Sequence, residues 1–239
     1  QLARLEADNF WFRFRNKLLI WAMHTNFPHA DQFLEIGSGT GFVLSGINKE
    51  FPKMSVIGSD IYPQGLDYAK NRVPDATFLH MDAGNIPFED EFDVVGAFDI
   101  LEHIQDDRIV LHEIYKAVHR GGGVILTVPQ YMWLWSDQDS AALHVRRYSR
   151  KELKEKVEQA GFNVVMITSF ISFLFPFLVF SRLSSQFLKK IDRPHDSTRE
   201  LRLHPLLNEI FETICNLELL FLKKGVRMPA GGSRLCRGE

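Results

Sequence analysis

The stretch Phe33-Leu34-Glu35-Ile36-Gly37-Ser38-Gly39-Thr40-Gly41-Phe42-Val43-Leu44-Ser45-Gly46-Ile47 decides the fold. A short apolar run carries one carboxylate and ends in three alternating glycines. Apolar residues then return at helical spacing, so the segment reads as strand, tight turn, helix. Glycines allow the turn and let a ligand lie against bare backbone, with the amides of the helix start pointing at it.

Outward from this unit the same alternation continues in both directions. Upstream, Trp11, Phe14, Leu18, Leu19 and Ala22 recur at three- and four-residue steps and predict an amphipathic helix with Asn9 as N-cap, broken at Phe27-Pro28. Downstream, strands are predicted over 54–59, 76–80, 92–98, 124–128 and 162–168. Helices are predicted over 64–72, 106–119 and 150–160, the second capped by Asp106 and stopped by Gly121 to Gly123. Continuous apolar strands separated by amphipathic helices imply a doubly wound α/β fold, its parallel sheet covered on both faces. A ligand then binds beyond the carboxyl ends of the strands. The rhythm fails from 170 to 224, where two apolar helical stretches surround a polar segment at 189–200, before a short final strand at Gly231-Gly232-Ser233-Arg234-Leu235-Cys236. The whole chain, 1–239, is expected to form one domain: an N-terminal helix (1–29), a binding core (30–169), a helical insertion (170–224) and a last strand (225–239).

With 239 residues, 45% hydrophobic and 24% charged, the composition is that of an ordinary globular protein. Lys and Arg number 28 against 30 Asp and Glu, so the net charge of -2 provides no field for a polyanion and nucleic acid is not an expected partner. The two cysteines, Cys215 and Cys236, form no CxxC, and no His and Cys cluster falls at metal-ligand spacing. Neither a disulfide framework nor a metal is expected, and a reducing cytoplasm is the simplest compartment. Arg13, Arg15 and Lys17 interrupt the first apolar segment, which is therefore not read as a signal peptide.

The glycine loop alone is compatible with NAD, FAD or S-adenosylmethionine. A dinucleotide fingerprint places its third glycine where Phe42 stands, and no Lys-Ser/Thr pair follows to make a P-loop. Asp60 closes the second predicted strand, where a carboxylate accepts from both hydroxyls of a ribose. Asp82, in Met81-Asp82-Ala83, suits the exocyclic amine of adenine. Carboxylates at strand ends also serve simply as helix caps. Three of them around one glycine turn, Glu35, Asp60 and Asp82, suit a cationic sulfonium bearing an amino group better than a pyrophosphate.

Phe33 to Gly41, Gly58-Ser59-Asp60, Met81-Asp82-Ala83, Phe92-Asp93-Val94-Val95 and Gly121-Gly122-Gly123-Val124-Ile125-Leu126 together resemble the ordered motifs of class I S-adenosylmethionine-dependent methyltransferases. Phe98-Asp99-Ile100-Leu101-Glu102-His103-Ile104 is similar to the quinone-biosynthesis-type, small-molecule branch. The resemblance covers 30–170. It implies a seven-stranded sheet with an antiparallel last strand and S-adenosylmethionine across the ends of strands one to four, leaving S-adenosylhomocysteine as product. Glu35, Gly37, Ser38, Gly39, Gly41, Asp60, Ile61, Asp82, Ala83, Phe98 and Asp99 would form the cofactor site. The Asn/Asp-Pro-Pro-aromatic motif of amine methyltransferases is absent, which points to an oxygen or carbon acceptor. An NAD(P)-dependent oxidoreductase and a catalytically silent S-adenosylmethionine-binding protein are the alternatives.

For acceptor chemistry, His103 is the first candidate general base and His144 the second. Asp99 and Glu102 fit a capping box. Trp133 and Trp135 could wall an acceptor pocket whose anionic group is held near Arg146, Arg147 and Tyr148; a loop tethered by salt bridges is the plainer reading. Arg13 and Arg15 are candidates for the carboxylate of the cofactor. Residues 163–181 carry no charge, but the sixth strand and Pro176 divide them, so a transmembrane helix is not expected. The remaining apolar segment, followed by Arg182, Lys189, Lys190 and Arg193, is a candidate for peripheral membrane contact over 170–190, which would add membrane association to a cytoplasmic location. Leu203, Leu207, Ile210, Ile214, Leu217 and Phe221 form a second stripe, read as a cap or homodimer surface beside a small-molecule or lipid-like acceptor.

Overall fold

The computed structural model describes residues 5–188 and 203–239; the polar segment expected at 189–200 lies outside them. In chain order the elements are α1 (Phe10–Asn26), β1 (Gln32–Ile36), α2 (Phe42–Glu50), β2 (Ser55–Asp60), α3 (Pro63–Arg72), β3 (Thr77–His80), β4 (Phe92–Phe98), α4 (Asp107–Ala117), β5 (Val118–Pro129), α5 (Asp137–Ala141), α6 (Arg150–Ala160), β6 (Val164–Phe170), α7 (Phe175–Leu188), α8 (Pro205–Lys223) and β7 (Ser233–Gly238). The seven strands form one sheet in the order β3-β2-β1-β4-β5-β7-β6. β1 to β5 run parallel, while β7 pairs antiparallel with both β5 and β6.

Strand alternation divides the core in two. Phe33, Val94, Ile125 and Leu235 face one layer with Phe14 and Leu18 of α1, Leu44 of α2 and Cys215 and Leu219 of α8. Their neighbours Leu34, Val95, Val124 and Cys236 face the other, with Leu111 and Ile114 of α4 and Leu153 and Val157 of α6. Successive side chains of a strand point to opposite faces, so a sheet covered on both sides needs these near-continuous apolar runs.

α8, the second half of the insertion, belongs to the first layer rather than standing apart. Its Glu212 accepts from Arg13 Nε at 3.0 Å and from Lys17 Nζ at 2.9 Å of α1. Arg13 is thereby drawn away from the ligand role expected of it. No helix among the described residues is long and apolar enough to cross a membrane.

Two local expectations fail for identifiable reasons. The glycines taken as a helix stop lie inside β5, where Gly121, at φ +88°, sits in the register shift opposite Phe92 to Val94. Phe92 pairs with Val118 and Val94 with Gly123, so an irregular bulge takes up three extra residues on β5. Asp99 and Glu102 make no capping box. The chain forms only a 3-10 turn at Leu101–His103, without a side-chain cap, and Asp99 pairs with Arg15 instead. Asn9 does cap α1, accepting from the Trp11 amide at 2.9 Å, whereas Asp106 makes no side-chain cap on α4.

Candidate cofactor and acceptor site

β1 ends level with β2 and β4, Ile36 lying opposite Ser59 and Ala97, so the glycine turn opens at the carboxyl edge of the sheet. Gly37, Gly39 and Gly41 all have positive φ. A Cβ on Gly37 would fall 2.1 Å from Ile100 Cγ1 and have to displace that side chain, at a φ of +72° that already favours glycine. At Gly39 a Cβ would meet nothing within 4 Å, and the open space beside that backbone is a cleft of about 310 Å³. Arg15, Glu35, Ser38, Asp60, Tyr62 and Phe98 are among its walls. Glu6 is another: it holds Thr40 Oγ1 at 2.6 Å and Arg72 Nη1 at 2.8 Å across the turn.

The polar groups of this cleft are incompletely satisfied. Glu35 Oε2, Ser38 Oγ and Arg15 Nε are buried and make no hydrogen bond. Burial pushes the Glu35 carboxyl up to about 8; Arg15 opposes the rise and Asp60 adds to it. Unpaired buried polar atoms cost free energy, and a donor on Arg15 beside an acceptor on Glu35 complements the carboxylate and ammonium of an amino acid. Asp60 accepts from Gly39 N and Tyr62 N, both at 2.8 Å, which fixes its carboxylate while leaving lone pairs for a diol. The donor set therefore fits the cofactor implied by the resemblance. Asp82 and Ala83 lie just past β3 and outside the cleft walls, with Asp82 exposed and accepting from Gly84 N at 2.8 Å. Ile61 is likewise exposed.

Beyond β4 the chain builds a second cluster. Asp99 adopts φ 55° directly after the strand, its amide bonded to Thr127 O, and its carboxylate takes the Arg15 guanidinium. The 3-10 turn then presents Glu102 and His103. Val145 N donates to Glu102 O at 2.8 Å, which brings the following loop alongside and sets the His103 and His144 rings edge to face at 4.7 Å. His144 Nδ1 lies 2.9 Å from Asp139 Oδ1. Asp139 is 1% exposed and is gripped by Arg147 at 2.7 and 2.9 Å; burial works against its charge, but the bonds from His144 and Arg147 prevail and hold its carboxyl far below the usual range. The inner edge of His103 is desolvated although the residue stays open to solvent. Desolvation first, then His144, lowers its pKa.

Several residues expected at the acceptor have other employment. Tyr148 is fully buried and donates its hydroxyl to Asp107 at 2.5 Å; Arg146 is held by Asp107 at 2.8 Å and by Gln105 O, and Arg147 by Asp139. These three act as tethers of the 130–148 loop, the plainer of the two readings. Trp133 remains exposed and stacks on Tyr131 at 5.4 Å, while Trp135 Nε1 donates to Ser140 Oγ. The orienting role of Asp139 is not visible in its segment, whose sequence reads as a loop. A Ser136/Asp139 capping box on α5 was the available signal.

Residues 4–167 match the family described as methyltransferase domain. A protein of Mycolicibacterium smegmatis named as a probable S-adenosylmethionine-dependent methyltransferase is 27% identical over 163 residues, 67% of this chain and 62% of its own length. The ubiquinone/menaquinone biosynthesis C-methyltransferase UbiE of Desulfotalea psychrophila is 31% identical over 98 residues, 40% of each chain. The matches thus span 40% to 62% of the length of these relatives. Phosphoethanolamine N-methyltransferase 2 of Haemonchus contortus, solved with S-adenosyl-L-methionine, superposes with a TM-score of 0.61 at 19% identity, over 93% of this chain and 52% of that one, a likeness of fold. With the sheet order, the glycine cleft and a family match over more than half of its length in agreement, this chain belongs to the S-adenosylmethionine-dependent methyltransferase domain family.

Proposed function

We propose that the protein transfers a methyl group from S-adenosylmethionine to an oxygen or carbon of a small-molecule or lipid-like acceptor. The observation that carries the cofactor half is the set of buried, unpaired atoms in one cleft: Glu35 Oε2, Ser38 Oγ and Arg15 Nε. Glu35 and Arg15 would hold the amino-acid end, Asp60 the ribose, and Ile61, Asp82 and Ala83 the adenine side, with Gly37, Gly39, Gly41, Phe98 and Asp99 shaping the cleft. Bound S-adenosylmethionine supplies an electrophilic methyl on a sulfonium. The protein's part is to hold the acceptor atom in line at roughly 3 to 3.5 Å and to exclude water.

Where the acceptor is a hydroxyl or an acidic carbon, a proton must leave. An ionised Asp139 can only accept, so His144 donates from Nδ1 and presents a lone pair at Nε2. His144 would take the proton there as general base, with His103 beside it. Trp133 and Trp135 would form the apolar wall. The naming of UbiE supports a quinone-like ring as acceptor, and the exposed apolar residues of α7 and α8 support a lipid-like one.

Calorimetric titration with S-adenosylmethionine, S-adenosylhomocysteine and NAD tests the cofactor, and binding of NAD alone would overturn the reading. Formation of S-adenosylhomocysteine across phenols, quinols with isoprenoid tails and amines tests the acceptor. Turnover confined to amines would refute the acceptor class.

A further inference from the structure

Among the described residues, Glu102, His103 and His144 offer one carboxylate oxygen and two imidazole nitrogens that all lie within 4.8 Å of one another. Glu102 is 1% exposed, and its Oε2 makes no hydrogen bond. A buried carboxylate without a partner is costly unless it is neutralised or coordinates a cation. Nearby charge pairs are already spent: Arg15 on Asp99, and Arg147 on Asp139. Burial first, then Asp99, push the Glu102 carboxyl well above the usual range; its own backbone amide and the charges of Arg15 and Arg147 oppose the rise, but neither arginine hydrogen-bonds to it and Oε2 stays unpaired. His144 is oriented as metal-binding histidines are, with one ring nitrogen on a carboxylate and the other free.

We infer that Glu102, His103 and His144 form a divalent transition-metal site on the acceptor side of the cleft. Two imidazoles and one carboxylate are the donor set of Zn²⁺, Mn²⁺, Fe²⁺ or Co²⁺, whereas Mg²⁺ and Ca²⁺ favour oxygen alone. Three protein ligands leave a position open for an acceptor oxygen. A cation there would raise the acidity of an acceptor hydroxyl, whose proton passes to water, and the two histidines would then serve as ligands rather than bases. This role rests on the methyl-transfer reading, but the metal site does not.

The test is titration of the EDTA-dialysed full chain with CoCl₂, followed by calorimetry and visible absorption, with MgCl₂ as comparison. One equivalent of Co²⁺ should bind and give ligand-field bands. His103→Gln, His144→Ala and Glu102→Gln should each weaken binding at least tenfold, and the positioning variant Asp139→Asn should weaken it about 10- to 100-fold. His103→Gln alters a solvent-open side chain and keeps the test valid if a buried variant fails to fold. Unchanged S-adenosylmethionine affinity and far-UV circular dichroism would show that the fold survives. Absence of stoichiometric Co²⁺ binding, equal affinity for Mg²⁺, or binding indifferent to His103→Gln would overturn the site. If Co²⁺ binds as described and no S-adenosylmethionine species binds, the methyltransferase reading falls while the metal site stands.

Discussion

At the scale of single residues, the cofactor cleft holds the sharpest expectations. Asp60 is tied to two backbone amides, so Asp60→Ala removes both a ligand contact and the brace that shapes Gly39 and Tyr62. Hydrogen bonds to a charged group contribute about 1.5–3 kcal/mol, so calorimetry should show S-adenosylmethionine affinity falling roughly 10- to 100-fold. Glu35 gives a pH signature. Its folded-state carboxyl is raised to about 8 from 4.5, so below 8 the cofactor-free protein holds a proton that a cationic ligand must displace. Affinity should therefore rise between about pH 6 and 7.5, by at most tenfold per unit, and Glu35→Gln should flatten the profile. The same shift makes Glu35 a liability to the free fold: stability is lost as pH rises from 4.5 towards 8, so Glu35→Gln should raise the Tm of the cofactor-free protein at neutral pH. Glycines, Glu35 and Asp60 were legible because strand, turn and helix place near neighbours in sequence around one ligand. The approach of His144 to His103 was not, because it depends on a backbone bond from Val145 to Glu102 and on the grip of Asp139, contacts that no periodicity encodes.

At the scale of elements, the 130–148 loop is fastened at two points. Asp107 binds Tyr148 Oη at 2.5 Å, Lys156 Nζ at 2.6 Å and Arg146 Nη1 at 2.8 Å. Burial works against its ionisation, yet these partners prevail and lower its pKa. A depressed carboxyl contributes stability above the unfolded value and loses it as pH falls through the folded one. Asp107→Asn should therefore cost about 3 kcal/mol at pH 7, roughly 6 to 12 °C in Tm, with a gap from wild type that narrows in acid. A thermal scan across pH checks both. The loop shows why charged residues mislead a linear reading. Arg146, Arg147 and Tyr148 have the chemistry of a binding patch, and only the burial of Asp107 and Asp139, at 2% and 1%, makes them fasteners. Helix and strand identities were otherwise read correctly wherever apolar periodicity was strong, as over β4 and α6. The start of β5 was not, since glycines signal a stop and a bulge alike.

At the scale of the whole molecule, α7 and α8 present an apolar surface that is exposed among the described residues. Phe177, Phe180, Leu206, Ile210, Leu217 and Leu220 are exposed, and Lys223, Lys224 and Arg227 stand at one end. Trp133 of the acceptor loop meets Phe175 of α7 at 6.1 Å, and Phe173, just before α7, meets Phe221 of α8 at 5.6 Å. Apolar side chains fringed by lysine and arginine suit the headgroup boundary of an anionic bilayer. The protein should co-sediment with phosphatidylglycerol vesicles, and Phe177→Asp with Phe180→Asp should abolish this while sparing S-adenosylmethionine binding. Retention of the double variant on vesicles would remove the bilayer from its partners. β7 has a consequence of another kind. It is the latest strand in chain order, yet it lies hydrogen-bonded between β5 and β6, so those two strands cannot be joined before it has been synthesised. On the ribosome, β1 to β5 can assemble while the growing chain still presents a bare strand edge on β5 and another on β6. Closure of so distant a pairing is slow, and until it happens both edges stay open to pairing with other chains.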